Sequence, residues 1–499
     1  MKIKDEALKL WAEAIRKGRH VISGKEITGQ RHIAFLLKEK LISRIARGCY
    51  LLKKPEDLIE EVFPIAYWEA VEVILSRYTW SIRGISALLI LNGDQIVQKQ
   101  LLVETKEKTN WKLRLTEGLI ISLIYSSSFD ERLVKRIRIA GRNIQVDVPE
   151  KVLIDTCKIK SKELENFIAG THFDLRTLEA LYAGNPKPVI FRRLADIAKD
   201  AGRLDLVKDI EKIIETHTYY HIGKPSDIIS KQSAILTPPW VVRQEQQLQE
   251  YEKAIEKHFH QKIKKIKKHS LNQLLAPAKE HKKYDTYHST TLEGYRITPE
   301  EVDALLSGII PKDKKTSKNK YLEDTKNRMA ILGYSEAFDF IISKIQKDFA
   351  KANLNQELIK DTYYHLFKPS ADAGIIDYLT LVKYRNAPAF IRGTSYVPPA
   401  YEKLPELMTN YESSINKVKN PLIKAILAHY FFVTVHPYLD GNGRTGRILM
   451  NYLLLTSGYH WITIRADQRA EYFEALRKGQ VDNNILPFGK FLIDMLTNY

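Results

Sequence analysis

Cysteine is nearly absent from this chain: its 499 residues include only Cys49 and Cys157. Two distant thiols exclude a disulfide framework and a thiolate metal knuckle, and they fit a reducing compartment. No run of about 18 apolar residues occurs, so a membrane-spanning helix is not expected. The first residues include Lys2, Lys4, Asp5 and Glu6, with no apolar signal segment behind them. A soluble cytoplasmic protein with no membrane partner is therefore expected. No repeat recurs at solenoid periods. Acidic residues are outnumbered, 60 against 78 Lys and Arg, which leaves a formal charge of +18. That excess admits a polyanionic partner, but a lysine-rich proteome accounts for it equally well, so charge alone decides nothing.

What is present is core-forming material. With 44% hydrophobic and 10% aromatic residues, the chain can bury two or three cores. Residues 3–17 and 29–39 read as helices. Residues 41–52 alternate apolar and polar around Gly48, the pattern of a short hairpin. Helix, helix, hairpin is the order of a winged helix, assigned to residues 1–62. Residues 63–215 read as a mixed α/β unit. It begins with an aromatic-rich helical stretch from Pro64 to Asn92, and strands are expected at 99–104, 111–115, 118–125 and within 134–148. A helix should start at Pro149, where the missing proline N–H costs least. Residues 216–245, with Pro225, Pro238 and Pro239, read as a linker. From 246 to 499 helical periodicity dominates, broken by loops at 309–320 and 384–400. The fold class expected is thus mainly α, with an all-α C-terminal region behind a winged-helix and mixed α/β N-terminal region.

The most informative stretch is His436-Pro437-Tyr438-Leu439-Asp440-Gly441-Asn442-Gly443-Arg444-Thr445-Gly446-Arg447. It lies between two strongly apolar helical segments, and Pro437 disfavours helix at His436. Gly441, Gly443 and Gly446 permit backbone turns that aim N–H groups inward, and a following helix would direct its positive end at the same point. Arg444 and Arg447 are planar donors suited to phosphate oxygens. Asp440 is a hard oxygen ligand of the kind Mg²⁺ uses beside substrate phosphates. Asn442 can donate to a phosphate oxygen, and Thr445 lies within the same cradle. His436 has the ordinary pKa needed to take a proton from a hydroxyl near neutrality.

This stretch resembles the signature of the Fic family, His-Pro-Phe-x-Asp/Glu-Gly-Asn-x-Arg-x-x-Arg, with Tyr438 in place of phenylalanine. The resemblance implies a helical Fic fold using Mg²⁺ and ATP, His436 as base, Asp440 as metal ligand, and Asn442, Arg444 and Arg447 on the phosphates. AMP would pass to a Ser, Thr or Tyr hydroxyl of a target protein. Residues 389–399, including Ile391, Arg392, Gly393, Thr394, Ser395 and Tyr396, resemble the family's β-hairpin flap, which would hold the target as an added strand. Tyr472, Phe473 and Gln480 fall where the family contacts the nucleoside, although core packing explains them equally well.

Ser289-Thr290-Thr291-Leu292-Glu293-Gly294 lies upstream. Ser289 and Glu293 are four residues apart and share a helical face. Gly294 can stop that helix, and Thr298-Pro299-Glu300-Glu301 caps the next. The segment resembles the Fic inhibitory motif, Ser/Thr-x-x-x-Glu-Gly/Asn, in a helix near 284–294. The implication is that Glu293 pairs with Arg447 and keeps it from the nucleotide.

The N-terminal region, about residues 5–215, is similar to AbiEi-like winged-helix antitoxin regulators. That similarity implies DNA contact through Gln30, Arg31, His32, Lys38 and Arg44, although such folds also bind proteins. The lysine run 262–268 reads as a solvated helix face, and His429 as a core histidine. Three functional readings stay open: an autoinhibited AMP transferase, a DNA-binding regulator whose Fic region senses nucleotide, and a Fic enzyme that uses another nucleotide or removes AMP. Oligomeric state is open as well, a homodimer included.

Overall fold

A computed structural model describes the chain except residues 1, 28, 98, 116–117, 159, 186, 218–236, 310–317, 352, 392 and 498–499. It divides into two compact units, residues 1–243 with 390–393, and residues 244–389 with 394–499.

The first unit begins with α1 (Lys2–Arg16), β1 (Val21–Ser23), α2 (Gln30–Lys38), β2 (Ile42–Ala46) and β3 (Cys49–Leu52). The strands form an antiparallel sheet in the order β1-β3-β2. Ala7, Ala14, Leu36, Ile42 and Tyr50 share one core. Trp11 packs against it, its indole N–H donating to the Leu41 carbonyl at 3.0 Å. The expected helix–helix–hairpin order is present, with β1 as an additional strand.

The stretch from Pro64 to Asn92 is not one helical run. It comprises the end of α3 (Ile59–Leu75), a short strand β4 (Trp80–Ile82) and α4 (Gly84–Leu91). β4 is buried at all three residues and lies inside the sheet, and Trp80-Ser81-Ile82 is too short for a period of two to mark it among the helices on either side. Gly84, at φ +55°, makes the turn into α4. The remaining strands fall close to expectation: β5 (Gln100–Thr105), β6 (Trp111–Arg114), β7 (Ile120–Tyr125), β8 (Val134–Ile139) and β9 (Arg142–Asp147). The sheet order is β6-β7-β5-β4-β9-β8, with β5/β7 and β4/β9 parallel. Five helices follow: α5 (Pro149–Thr156), α6 (Lys162–Gly170), α7 (Leu175–Gly184), α8 (Pro188–Asp200) and α9 (Leu204–His217).

Most of the expected linker, 218–236, lies outside the described residues. Its last part is helix rather than linker, because α10 (Pro239–Lys265) starts on Pro239, a favourable first-turn position. Then come α11 (Leu271–Glu280), α12 (Lys282–Leu292), α13 (Pro299–Leu306), α14 (Lys318–Asp348), α15 (Gln356–Asp372), α16 (Leu404–Lys417), α17 (Pro421–Val435), α18 (Asn442–Thr456), α19 (Arg469–Asp482) and α20 (Leu486–Thr497). α17 and α18 form the centre of the second unit. Nearly every residue of both is buried; α17 is apolar almost all round, whereas α18 also buries Asn442, Arg444, Arg447 and Asn451. Among the described residues of 384–400 no strand is assigned, so the flap is an irregular loop rather than the expected β-hairpin. Two prolines in sequence, Pro398 and Pro399, remove ladder donors at its end. No helix among the described residues is long and apolar enough to cross a membrane.

Candidate active site

The α17–α18 connection carries the candidate chemistry. α17 closes on His436, which adopts φ 53° and ψ 59°, a left-handed cap. Its ring Nδ1 lies 3.2 Å from the Val433 carbonyl. A carbonyl can only accept, so Nδ1 carries the hydrogen and Nε2 is the basic nitrogen. Burial, reinforced by the positive charge of Arg385, pushes the imidazole down to about 4, against an opposing pull from the Val433 carbonyl. The ring is therefore neutral at physiological pH.

Arg385, absent from the sequence-based candidates, holds this corner. Its Nε donates to the His436 carbonyl at 2.7 Å and its Nη1 to the Ala387 carbonyl at 3.1 Å. Its backbone N–H donates to the Pro437 carbonyl at 2.8 Å. The loop then closes on itself: Asn442 Oδ1 accepts from the Tyr438 N–H at 3.0 Å, and its Nδ2 donates to the Tyr438 carbonyl at 2.8 Å. Asn442, expected on a phosphate, is thus occupied at both ends by loop backbone. Tyr438 stacks on Tyr363, ring centroids 3.5 Å apart and planes 3° from parallel, which is the packing role expected of an aromatic there.

The glycines act differently from one another. Gly441 alone of the three has positive φ, at 79°, and a Cβ there would meet the Phe367 ring at 2.3 Å. Gly443 and Gly446 lie in α18 with ordinary helical backbone, so their value is close approach. A Cβ on Gly443 would fall 2.1 Å from Glu293 Oε1, and one on Gly446 would fall 2.7 Å from His429 Nδ1. The Thr445 N–H donates to the Gly441 carbonyl at 2.9 Å, and Thr445 Oγ1 is buried without a partner among the described residues.

Asp440 is exposed at the mouth of the loop and faces Arg444 Nη2 and the Tyr295 hydroxyl, each at 3.3 Å. Arg444 is fully buried, its guanidinium held between the rings of Tyr295 and Phe367 at 4.9 and 5.0 Å. Its Nε has no partner among the described residues.

Arg447 is held by three hydrogen bonds to α12. Its Nε donates to Ser289 Oγ, and its Nη2 donates to both the Ser289 carbonyl and Glu293 Oε1, all at 2.8 Å. Nη1 is buried and lacks a partner among the described residues. Burial works against the charged guanidinium, but the Glu293 carboxylate together with Tyr472 and Tyr334 outweighs it, and the pKa of Arg447 is raised. Ser289 and Glu293 sit at the end of α12, where Gly294 turns the chain at φ 91°. One turn earlier on the same face, buried Asp285 accepts from the hydroxyls of Tyr334 and Thr463, both at 2.7 Å. At the C-terminal end, beside Glu293, Arg469 Nε donates to the Leu292 carbonyl at 3.0 Å. α12 is thereby fixed at both ends.

Tyr472, expected near a nucleoside, is 1% exposed. Its hydroxyl lies 2.8 Å from His429 Nε2, because the register of α19 turns it inward. His429 is a core residue, as expected, and burial pushes it down to about 3. Phe473 lies beneath Arg469 at 4.8 Å, and Gln480 Nε2 donates to Thr434 Oγ1 at 3.2 Å. In the flap, Ile391 is half-buried, Gly393 turns at φ 74° and the Thr394 hydroxyl accepts from the Tyr396 N–H at 3.1 Å, with Ser395 between them. The Tyr396 hydroxyl donates to the Thr434 carbonyl at 2.9 Å. Arg392 lies outside the described residues.

In the first unit, Gln30, Arg31, Lys38 and Arg44 are exposed. His32 is not available to a groove: it is buried, its Nε2 3.3 Å from Glu6 Oε2. From the basic run, Lys262 pairs with Asp494 at 2.6 Å. Tyr295, Arg385 and Asp285 carry no local motif, and only their long-range partners reveal them.

Residues 353–454 match the model of the Fic/DOC family. The protein adenylyltransferase Fic of Drosophila grimshawi is 29% identical over 231 residues, which span 45% of this chain and 44% of that protein. Its counterpart in Drosophila willistoni is 32% identical over 234 residues, spanning 45% and 42%. A Fic domain containing signaling protein from Bacteroides thetaiotaomicron, known as a crystal structure, is 22% identical, covers 51% of this chain and 92% of its own, and superposes with a TM-score of 0.38. The chain spans less than half the length of the curated relatives it matches.

Proposed function

We propose that this chain, with a Fic domain at residues 353–454, transfers AMP from ATP to a hydroxyl of a target protein and is held at rest by α12. The observation that carries the reading is the occupation of Arg447 by Ser289 and Glu293, beside a loop whose other groups suit a triphosphate. A cradle that a single Cβ on Gly443 would fill, and the unpartnered nitrogens of Arg444 and Arg447, fit a phosphate chain. Asp440 is a single exposed carboxylate. That donor suits Mg²⁺, which takes one or two protein carboxylates and draws its other ligands from phosphate and water. The ion, when bound, would neutralise charge on the leaving phosphates.

His436 Nε2 accepts the proton of the incoming hydroxyl. The oxygen forms a bond to the α-phosphorus, the bond from that phosphorus to the bridging oxygen breaks, and pyrophosphate leaves. Arg385 positions His436 through its carbonyl, and the Asn442 clasp fixes the loop in advance. Released from Glu293, Arg447 would turn its donors to the phosphates. The flap is where a target segment would sit, and Gly393 and Tyr396 set its path.

The test is to incubate the full chain and its Glu293→Gly variant with a cell lysate and ATP labelled at the α-phosphate. Label on a Ser, Thr or Tyr of a second protein supports the reading. A chain that binds ATP but leaves every protein unlabelled is a nucleotide-sensing regulator instead. Loss of label from a modified target on adding the chain would identify AMP removal.

For the first unit we propose contact with duplex DNA phosphates, supported by the exposure of Arg31 and Lys38 on α2 and of Arg44 on β2. Binding to the chain's own promoter should weaken steeply with salt, and an Arg31→Ala/Lys38→Ala variant that shifts DNA as well as wild type would overturn this.

A further inference from the structure

Tyr295 follows Gly294 in the connection between α12 and α13, and it meets two groups of the 436–447 loop at once. Its hydroxyl lies 3.2 Å from Arg444 Nη2 and 3.3 Å from Asp440 Oδ2. A guanidinium only donates and an ionised carboxylate only accepts, so the hydroxyl accepts from Arg444 and gives its own hydrogen to Asp440. Its ring also packs on the buried Arg444 guanidinium, with Cζ 4.9 Å from the centroid.

The anchor of Tyr295 lies outside the loop. Its side chain packs against the core of Ile297, Val302 and Ile331, and the adjacent Arg296 carbonyl accepts from Asn327 Nδ2 of α14 at 3.0 Å. The pair between Glu293 and Arg447 takes no part in these contacts, so they persist in a chain that lacks Glu293.

An ionised carboxylate offers about four acceptor sites. At Asp440, Oδ1 accepts from the Gly441 N–H at 2.6 Å, and Oδ2 accepts from Arg444 and Tyr295, each at 3.3 Å. This leaves one site, on Oδ1, without a protein donor among the described residues. The Asp440 side chain is 57% exposed, so packing does not fix its direction and these donors do. Gly441 and Arg444 belong to the loop itself. Among the described residues, Tyr295 is the donor that ties the carboxylate to a separate element.

We propose that Tyr295 is a positioning residue for the metal–nucleotide complex, turning Asp440 toward the divalent cation through its hydroxyl and holding Arg444 for the phosphates through its ring. This rests on the reading of the loop as a site for Mg²⁺ and ATP. Removing a group that orients a metal ligand typically costs about 10- to 100-fold in metal affinity. A bond of 3.3 Å is long, which sets the expected loss at the lower end, about tenfold.

The test uses the full chain carrying Glu293→Gly, in which Arg447 is released, and an ATP analogue with a methylene in place of the α–β bridging oxygen, so that no transfer occurs. Mn²⁺ binding in the presence of the analogue is read by water-proton relaxation enhancement. Binding of the analogue alone, in EDTA, is read by calorimetry. Adding Tyr295→Phe, which keeps the ring, should weaken Mn²⁺ binding about tenfold and leave the metal-free affinity within about twofold. Adding Tyr295→Ala instead should weaken both, the metal-free affinity by about threefold or more as the cation–π contact is lost. Mn²⁺ binding unchanged or tighter in Tyr295→Phe would overturn the proposal, as would an equal fall in both affinities, the mark of a packing role alone. Both results leave the nucleotide reading intact. A Glu293→Gly chain that binds neither Mn²⁺ nor the analogue would remove that reading, and this proposal with it.

Discussion

Replacing Glu293 by glycine should raise AMP incorporation. The side chain is 21% exposed and its partner 4%, with the contact at 2.8 Å. A hydrogen bond to a charged group in such a setting contributes about 1.5–3 kcal/mol. Partial exposure of Glu293 screens it, which argues for the lower half of that range. Ser289 still accepts from Nε and Nη2 in the variant, so Arg447 keeps its place in the fold while Nη2 regains a free direction. If the pair must break before productive ATP binding, about 1.5–2.25 kcal/mol becomes a rise of about 13- to 45-fold in AMP incorporation at subsaturating ATP. The assay is initial-rate incorporation of α-phosphate label at matched protein concentration. Glu293→Gln, which keeps an acceptor but not the charge, should fall between the two. A Glu293→Gly variant no faster than wild type would refute the assignment of α12 as a brake, whatever the chain's other activity.

Three further outcomes follow from the same geometry. His436→Ala in the Glu293→Gly background should abolish transfer while leaving the melting temperature within a few degrees, read by labelling and thermal unfolding. Arg385→Ala should destabilise the chain by about 1–3 kcal/mol in urea unfolding, since it strands the half-buried carbonyls of His436 and Ala387; Arg385→Lys should recover only part of this. Buried His429 has its pKa depressed to about 3, so below the unfolded-state value near 6.5 only the unfolded chain takes up its proton. This group's contribution is complete above pH 6.5. As pH falls toward 3 it is lost, at roughly 1.4 kcal/mol per pH unit. His429→Gln should flatten the pH dependence of the unfolding free energy by about one proton between pH 6 and 4.

The candidate loop could be singled out in the sequence because its groups are local: histidine, carboxylate, glycines and arginines lie within twelve consecutive residues, 436–447. Ser289 and Glu293 were legible for a related reason, since helical spacing puts them on one face and their partner belongs to that loop. β4 was not, because three residues, Trp80-Ser81-Ile82, are too few to show a period between the helices on either side. The roles of Asn442 and Tyr472 depend on side-chain direction, which spacing leaves open. Asn442 turns back to Tyr438, and Tyr472 turns inward to His429. Arg385 and Asp285 gain meaning only from partners far along the chain. Lone charged residues of that kind carry no pattern of their own.

The central claim is that this chain transfers AMP and is restrained by Glu293. The most direct measurement is a single-turnover reaction of the Glu293→Gly chain with an unmodified target protein, using ATP labelled at either the α- or the γ-phosphate. Retention of α-label on protein, with γ-label released as pyrophosphate, is the predicted result. Retention of γ-label, or of neither at ATP concentrations that saturate binding, would contradict it.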